Sequence, residues 1–198
     1  MSALLLFDLG GVLVENTTFE SLARMLPGPP DPAAARRRWV ASPAVRRHEL
    51  GELNPLEFAA AFAEEQGIGL APDAFLAEFA TWPRGLYPGA PALLRTLRAQ
   101  RRVACLSNSN AVHWQRFDGF AEDFDVSLSS HLLGAVKPDA LAYERALRAC
   151  GATAGETWFF DDLPGNVEAA RALGLRAFLA EGFEALPALL RQEGLLPA

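Results

Sequence analysis

Leu4-Leu5-Leu6-Phe7-Asp8-Leu9-Gly10-Gly11-Val12 opens the chain with an unbroken apolar run that ends on a carboxylate and a Gly-Gly break. A run this short, bounded by a turn signal, reads as a strand buried on both faces, as in a parallel sheet. Asp8 then emerges at the strand's carboxyl end, where open α/β sheets bind their ligands. With this first strand over residues 3–8, others are expected over 102–107, 124–128, 157–161 and 175–180. Helical patterns lie between them. Residues 89–100 place Ala90, Leu93, Leu94 and Leu97 on one face, residues 138–150 open on a proline suited to a first helical turn and close at Gly151, and residues 164–173 close at Gly174. Strands alternating with helices predict an α/β fold with a doubly wound parallel, Rossmann-like sheet.

Residues 16–84 read differently. Helical patterns over 18–26, 31–41, 55–66 and 72–80 follow one another without a convincing strand, and Trp82-Pro83-Arg84-Gly85 followed by Pro88-Gly89 marks the return. The expected organisation is a core of residues 1–15 and 85–198 interrupted by a small helical insert at 16–84.

The 198 residues are 51% hydrophobic, enough for a substantial core. A net charge of -6 argues against a nucleic-acid binder, since such proteins neutralise phosphates with a basic surface. The clusters Arg36-Arg37-Arg38 and Arg46-Arg47 read as solvated helix faces, one of which an anionic substrate could use. Two cysteines, Cys105 and Cys150, are too few for a disulfide framework or a zinc cluster, and a cytoplasmic setting fits best. The first apolar run has no basic flank and no cleavage-site pattern, so neither a signal peptide nor a membrane partner is expected. Monomer and homodimer both stay open.

Three strand ends carry polar residues: Asp8, then Ser107-Asn108-Ser109-Asn110, then Asp161-Asp162. A lone aspartate after a strand is most often a turn former or helix cap. Three such ends in one sheet are harder to dismiss. Asp8 and Asp162 at adjacent ends would repel unless a cation lay between them, and Mg2+ suits oxygen ligands of this kind. Such an ion would also ease attack of an anionic nucleophile on an anionic phosphate. The Ser107 hydroxyl and the amides after it could form an anion-binding concavity. Lys137 stands just before a predicted helix and is the only lysine of the strand-rich part. Together these residues suggest phosphoryl chemistry.

With those residues assembled, the sequence resembles the haloacid dehalogenase-like hydrolase superfamily. Phe7-Asp8-Leu9-Gly10-Gly11-Val12-Leu13 is similar to its first motif, Leu106-Ser107-Asn108 to its second, Lys137-Pro138 to its third, and Phe160-Asp161-Asp162 with Asn166-Val167-Glu168-Ala169-Ala170 to its fourth. The insert falls where that family carries a helical cap. By position, the resemblance implies that Asp8 is a nucleophile forming an aspartyl-phosphate, and that Asp8, Asp162 and the Gly10 carbonyl ligate magnesium. It also implies that Ser107, Asn108 and Lys137 hold the phosphoryl group, with Asp161 and Asn166 as further members of the fourth motif. Motif wording, including Arg47-His48-Glu49-Leu50-Gly51-Glu52, looks most like the branch of glucose-1-phosphate phosphatases and the N-terminal phosphatase domain of soluble epoxide hydrolases. The implied substrate is a small phosphorylated metabolite, with sugar 1-phosphates in view.

One departure matters. The family's phosphatases carry a second aspartate two residues after the nucleophile, as general acid and base, and here that residue is Gly10. Such assistance is worth about 10²- to 10⁴-fold, or roughly 3 to 5 kcal/mol. Three readings stay open: a phosphatase limited to leaving groups that need little protonation, a substitute acid with Glu15 nearest in sequence, or a protein that binds phosphorylated ligands with little or no turnover. Phosphomutase chemistry is disfavoured by Gly10, and dehalogenation by the retained Asp162. Trp39, Trp82, Trp114 and Trp158 read mainly as core, with Trp82 a candidate for the cleft wall, and His48 and His113 as ordinary histidines.

Overall fold

Strand β1 (Leu4–Phe7) runs up the middle of a five-stranded sheet in the computed structural model, which describes residues 3–197. Two further strands, β2 (Val14–Asn16) and β3 (Pro83–Leu86), pair with each other outside that sheet. The sheet is completed by β4 (Arg102–Ser107), β5 (Val126–Ser129), β6 (Thr157–Asp161) and β7 (Arg176–Leu179) in the order β5-β4-β1-β6-β7. All of its pairings are parallel. Phe7 lies opposite Cys105 of β4 on one side and Phe160 of β6 on the other, so three central strands end nearly level. Strand order reverses at β1, which opens a crevice there.

Every side chain of β1 is buried. Alternation sends Leu5 and Phe7 to one face and Leu4 and Leu6 to the other, where each pair joins a separate apolar cluster. The first face is covered by α6 (Ala90–Arg98) and α11 (Leu186–Gln192), and the second by α9 (Ala140–Cys150) and α10 (Pro164–Ala172). Burying a leucine or phenylalanine contributes about 1.5–3 kcal/mol, which explains why a polar residue first appears where the strand leaves the core. Helices α7 (Ala111–Arg116) and α8 (Ser130–Leu133) follow β4 and β5 at the crevice end.

The predicted strands recur within two residues of their expected bounds. The third, expected from 124, starts at Val126 because Asp125 bonds to Val103 through both its backbone N–H and its carboxylate, at 2.8 Å each, which fixes the approach to β4. Pro138 differs from expectation: α9 begins at Ala140, after Asp139 in an extended conformation, so the proline stands outside the helix.

Between β2 and β3 the chain is helical: α1 (Thr18–Met25), α2 (Pro32–Ala41), α3 (Pro43–Glu49), α4 (Pro55–Gln66) and α5 (Pro72–Phe79). Their starts follow local chemistry. Asp31 accepts from the Ala33 and Ala34 N–H groups at the head of α2, Ser42 accepts from Val45 ahead of α3, and Asn54 with Glu57 forms a reciprocal capping box on α4. These helices close over their own core of Phe58, Phe62, Phe75, Phe79 and Trp82, all fully buried. Trp82 therefore belongs to that core rather than to a cleft wall. The β2–β3 pair escapes sequence reading because its strands are too short for alternation to show and include Pro83 and Gly85. Among the described residues no helix is long and apolar enough to cross a membrane.

Candidate active site

Level strand ends bring Asp8, Ser107 and Asp162 to one cleft of about 630 Å³ between the sheet edge and α1–α3, with Lys137 lining it and Asp161 buried behind. Lys137 is the chain's only lysine and is 4% exposed. Its Nζ donates to Asp8 Oδ1 at 2.9 Å and to Asp161 Oδ2 at 2.7 Å. Burial alone would lower the ammonium, but Asp161 and Asp8 outweigh it and hold Lys137 above the ordinary lysine value. An ammonium has three donors, so one proton remains for a ligand.

Asp161 is fully buried and already committed. Its Oδ1 accepts from the Leu163 N–H and Asn166 Nδ2 at 2.9 Å each, and its Oδ2 accepts from Asn166 as well as Lys137. Asn166 is held in turn where its carbonyl accepts from the Tyr143 hydroxyl at 2.8 Å. Asp161 thus positions Lys137 from behind the cleft, and Asn166, whose side-chain amide is spent on Asp161, holds it there. Asn108 behaves similarly: its side-chain amide donates to the Lys137 carbonyl and accepts from the Lys137 N–H, at 2.9 Å each. Only its backbone N–H, which makes no hydrogen bond among the described residues, is left for an anion. The Ser107 hydroxyl likewise has no partner and lines the cleft.

Oxygens of Asp8, Asp161 and Asp162 lie within 4.8 Å of one another. Burial raises the Asp8 carboxyl, Lys137 pulls it back, and Asp161 and Asp162 push it further up. Asp162 is raised by burial first and then by Asp161. An all-oxygen set of crowded carboxylates that resist ionisation fits a hard divalent cation, which would relieve both effects. With Asp161 committed to its clamp, Asp8 and Asp162 remain to hold one, beside Gly10 on the same wall. Gly11 permits this approach: its φ is +78°, and an added Cβ would stand 3.0 Å from Asp162 Oδ2.

Glu15 does not reach the site. Val14 and Asn16 line the cleft while Glu15, between them on β2, is turned away and exposed, as strand alternation requires. From the helical segment come Arg36 and the exposed Arg46, whereas Arg37, Arg38 and Arg47 do not line the cleft. His48 is buried, stacked on Phe58 with ring centroids 4.2 Å apart. Glu49, one residue on, lines the cleft. Sequence reasoning quoted Glu49 without assigning it a role, although Ser42-Pro43 and Gly51 bracket a short helix that ends on it. Both cysteines are buried, their thiols pushed up by burial to about 12 for Cys105 and about 11 for Cys150.

His113 of α7 also lines the cleft. Its Nε2–H donates to the Phe79 carbonyl at 2.8 Å, and its Nδ1 accepts from Asn110 at 3.3 Å, an arrangement that requires the neutral ring. Burial lowers its pKa to about 4. Unfolded chains take up that proton near 6.5, so acidification from about pH 6.5 towards 4 favours unfolding, at about 1.4 kcal/mol per pH unit. His113→Asn is expected to flatten the fall in stability between pH 7 and pH 5 by about 2 kcal/mol relative to wild type. Denaturant titration at both values measures it, and an unchanged slope would exclude His113 as its source.

A family model described as haloacid dehalogenase-like hydrolase matches residues 3–174. The chain belongs to the haloacid dehalogenase-like hydrolase family. This haloacid dehalogenase-like chain is 31% identical over 186 residues to Phosphatase MT3486 of Mycobacterium tuberculosis, covering 88% of the chain and 85% of that relative. It is 29% identical over 189 residues to a phosphoglycolate phosphatase of Pseudomonas putida, covering 87% and 67%. Its fold is similar to that of a family enzyme from Bacteroides thetaiotaomicron in complex with magnesium and inorganic phosphate, with a TM-score of 0.72 at 23% identity over 90% of this chain and 94% of that one. Phosphoric monoester hydrolase is accordingly the class of this haloacid dehalogenase-like enzyme.

Proposed function

We propose that this enzyme is a magnesium-dependent phosphatase of small phosphorylated metabolites, acting through an aspartyl-phosphate on Asp8. The observation that carries the reading is the buried Asp8–Lys137–Asp161 chain beside Asp162 and an unpartnered Ser107 hydroxyl. Asp8 Oδ attacks phosphorus, while Ser107, the Asn108 N–H and the remaining Lys137 proton hold the phosphoryl oxygens. Lys137 also keeps Asp8 oriented from below. Asp8, Asp162 and the Gly10 carbonyl would hold the ion, a role supported by the magnesium and phosphate in the Bacteroides relative. When bound, it offsets the repulsion between carboxylate and phosphate. On this reading residues 1–15 and 85–198 form the catalytic core, and residues 16–84 form a cap that excludes water.

The cleft volume of about 630 Å³ suits a ligand of sugar-phosphate size, and Arg36, Arg46 and Trp39 furnish polar and stacking contacts for one. Sugar 1-phosphates head the candidates. A second reading is favoured by Gly10 alone: a phosphate-ligand-binding or regulatory protein with little turnover.

Release of inorganic phosphate from glucose 1-phosphate, acetyl phosphate and an aryl phosphate, with magnesium present, separates the two. Turnover is expected; none on any member, with magnesium binding intact, would favour the binding protein. Chelation should stop turnover reversibly. Asp162→Asn is expected to raise the magnesium concentration for half-maximal rate by about 10- to 100-fold, and an unchanged magnesium requirement would remove Asp162 from the ligand set.

A further inference from the structure

We infer that Glu49, at the carboxyl end of α3, is the general acid and base that Gly10 cannot be. The inference rests on the phosphatase reading above and deepens it. Glu49 reaches the cleft from the helical segment, whereas Asp8 reaches it from the sheet edge. Phosphoryl transfer runs in line, so a leaving group expelled by Asp8 departs away from the sheet edge, into the part of the cleft lined by α1, α2 and α3.

The position of α3 is fixed by the core as well as by its own neighbours. Arg46 pairs with Asp139 at 2.5 Å, and Gly51, with φ +78°, lies so close to α8 that a Cβ there would come within 2.7 Å of the His131 carbonyl oxygen. The Glu49 carboxyl itself makes no hydrogen bond or ion pair among the described residues. Other carboxylates on the cleft wall are placed otherwise: Asp8 and Asp162 belong to the nucleophile and ion site, and Glu20 is exposed. Burial lifts the Glu49 carboxyl to about 8, against the pull of Lys137 and Arg46 and with a push from Asp8. A carboxyl lifted this way is suited to carry a proton at neutral pH, as a general acid must.

The steps balance. Asp8 Oδ bonds to phosphorus as the bond to the leaving oxygen breaks, that oxygen keeps the electron pair and takes the Glu49 proton, and an alcohol departs. Glu49, now a carboxylate, takes a proton from water as the water oxygen bonds to phosphorus. The bond from phosphorus to Asp8 breaks, which returns the Asp8 carboxylate, inorganic phosphate and protonated Glu49.

The test compares kcat/KM for alkyl phosphates, whose leaving groups need a proton, with that for 4-nitrophenyl phosphate, whose leaving group does not. Glu49→Gln is expected to lower the alkyl values about 10²- to 10⁴-fold and the aryl value less than about 10-fold. Gly10→Asp should restore alkyl turnover in the Glu49→Gln background; an added Cβ at residue 10 meets only Asn16 Nδ2, at 3.2 Å, a side chain that can give way. Equal losses on both substrate types, no loss on either, or wild-type failure on alkyl phosphates would each overturn the inference. Thermal midpoint and inorganic phosphate binding check the fold, and Glu49→Asp, should the glutamine variant not fold, is expected to show the same leaving-group bias. Turnover surviving in Asp8→Asn would sink the phosphatase reading itself. A dead Asp8→Asn beside an unbiased Glu49→Gln sinks only the role of Glu49.

Discussion

Asp8→Asn is expected to leave a folded protein whose phosphate release falls by about 10⁴-fold or more. The amide keeps the shape of the carboxylate but has no oxygen able to form the phosphoryl ester. The fold should stand, because the substitution removes a charge from a crowded cluster, and Lys137 keeps its 2.7 Å bond to Asp161. A thermal midpoint within a few degrees of wild type, or above it, is expected alongside the lost turnover. Near-wild-type phosphate release would take Asp8 out of the nucleophile role.

Lys137→Met should cost both stability and turnover, for separable reasons. Removing one partner of a buried charge pair leaves the other uncompensated, typically at about 3–5 kcal/mol. Asp161, with no exposure, would retain only Asn166 and the Leu163 N–H. Converting that residue as well, in Lys137→Met with Asp161→Asn, should recover much of the stability while turnover stays lost, because no ammonium then orients Asp8 or meets the phosphoryl group. Denaturant titration in the presence of chelator, paired with phosphate-release assays, reads both effects. A single variant as stable as wild type would show that Lys137 does not hold these carboxylates together.

The parts of the site legible in the sequence lie where a buried strand stops. Leu4 to Phe7 must be apolar on both faces, so the first charge after them marks the sheet's carboxyl edge, and the same logic exposes Ser107 and Asp162. What a side chain does at that edge was less legible. Asn108 and Asp161 have the chemistry of ligand-binding groups, yet both are tied to Lys137 by hydrogen bonds whose partners are distant in sequence. Proximity along the chain also misleads: Glu15 is the nearest carboxylate after Gly10, but one step of strand alternation turns it outward. Glu49 comes from a seven-residue helix, too short for a periodic pattern, whose placement depends on Gly51 packing closely against α8 and on Arg46 pairing with Asp139. Such placements depend on tertiary contacts that no local pattern carries.

The solitary lysine has a practical corollary. With it sealed at 4% exposure, every positively charged side chain on the outside is a guanidinium. Acylating reagents that decorate lysine-rich surfaces should find few amine side chains here. Label arriving on that one hidden amine would time how often it becomes accessible to reagent.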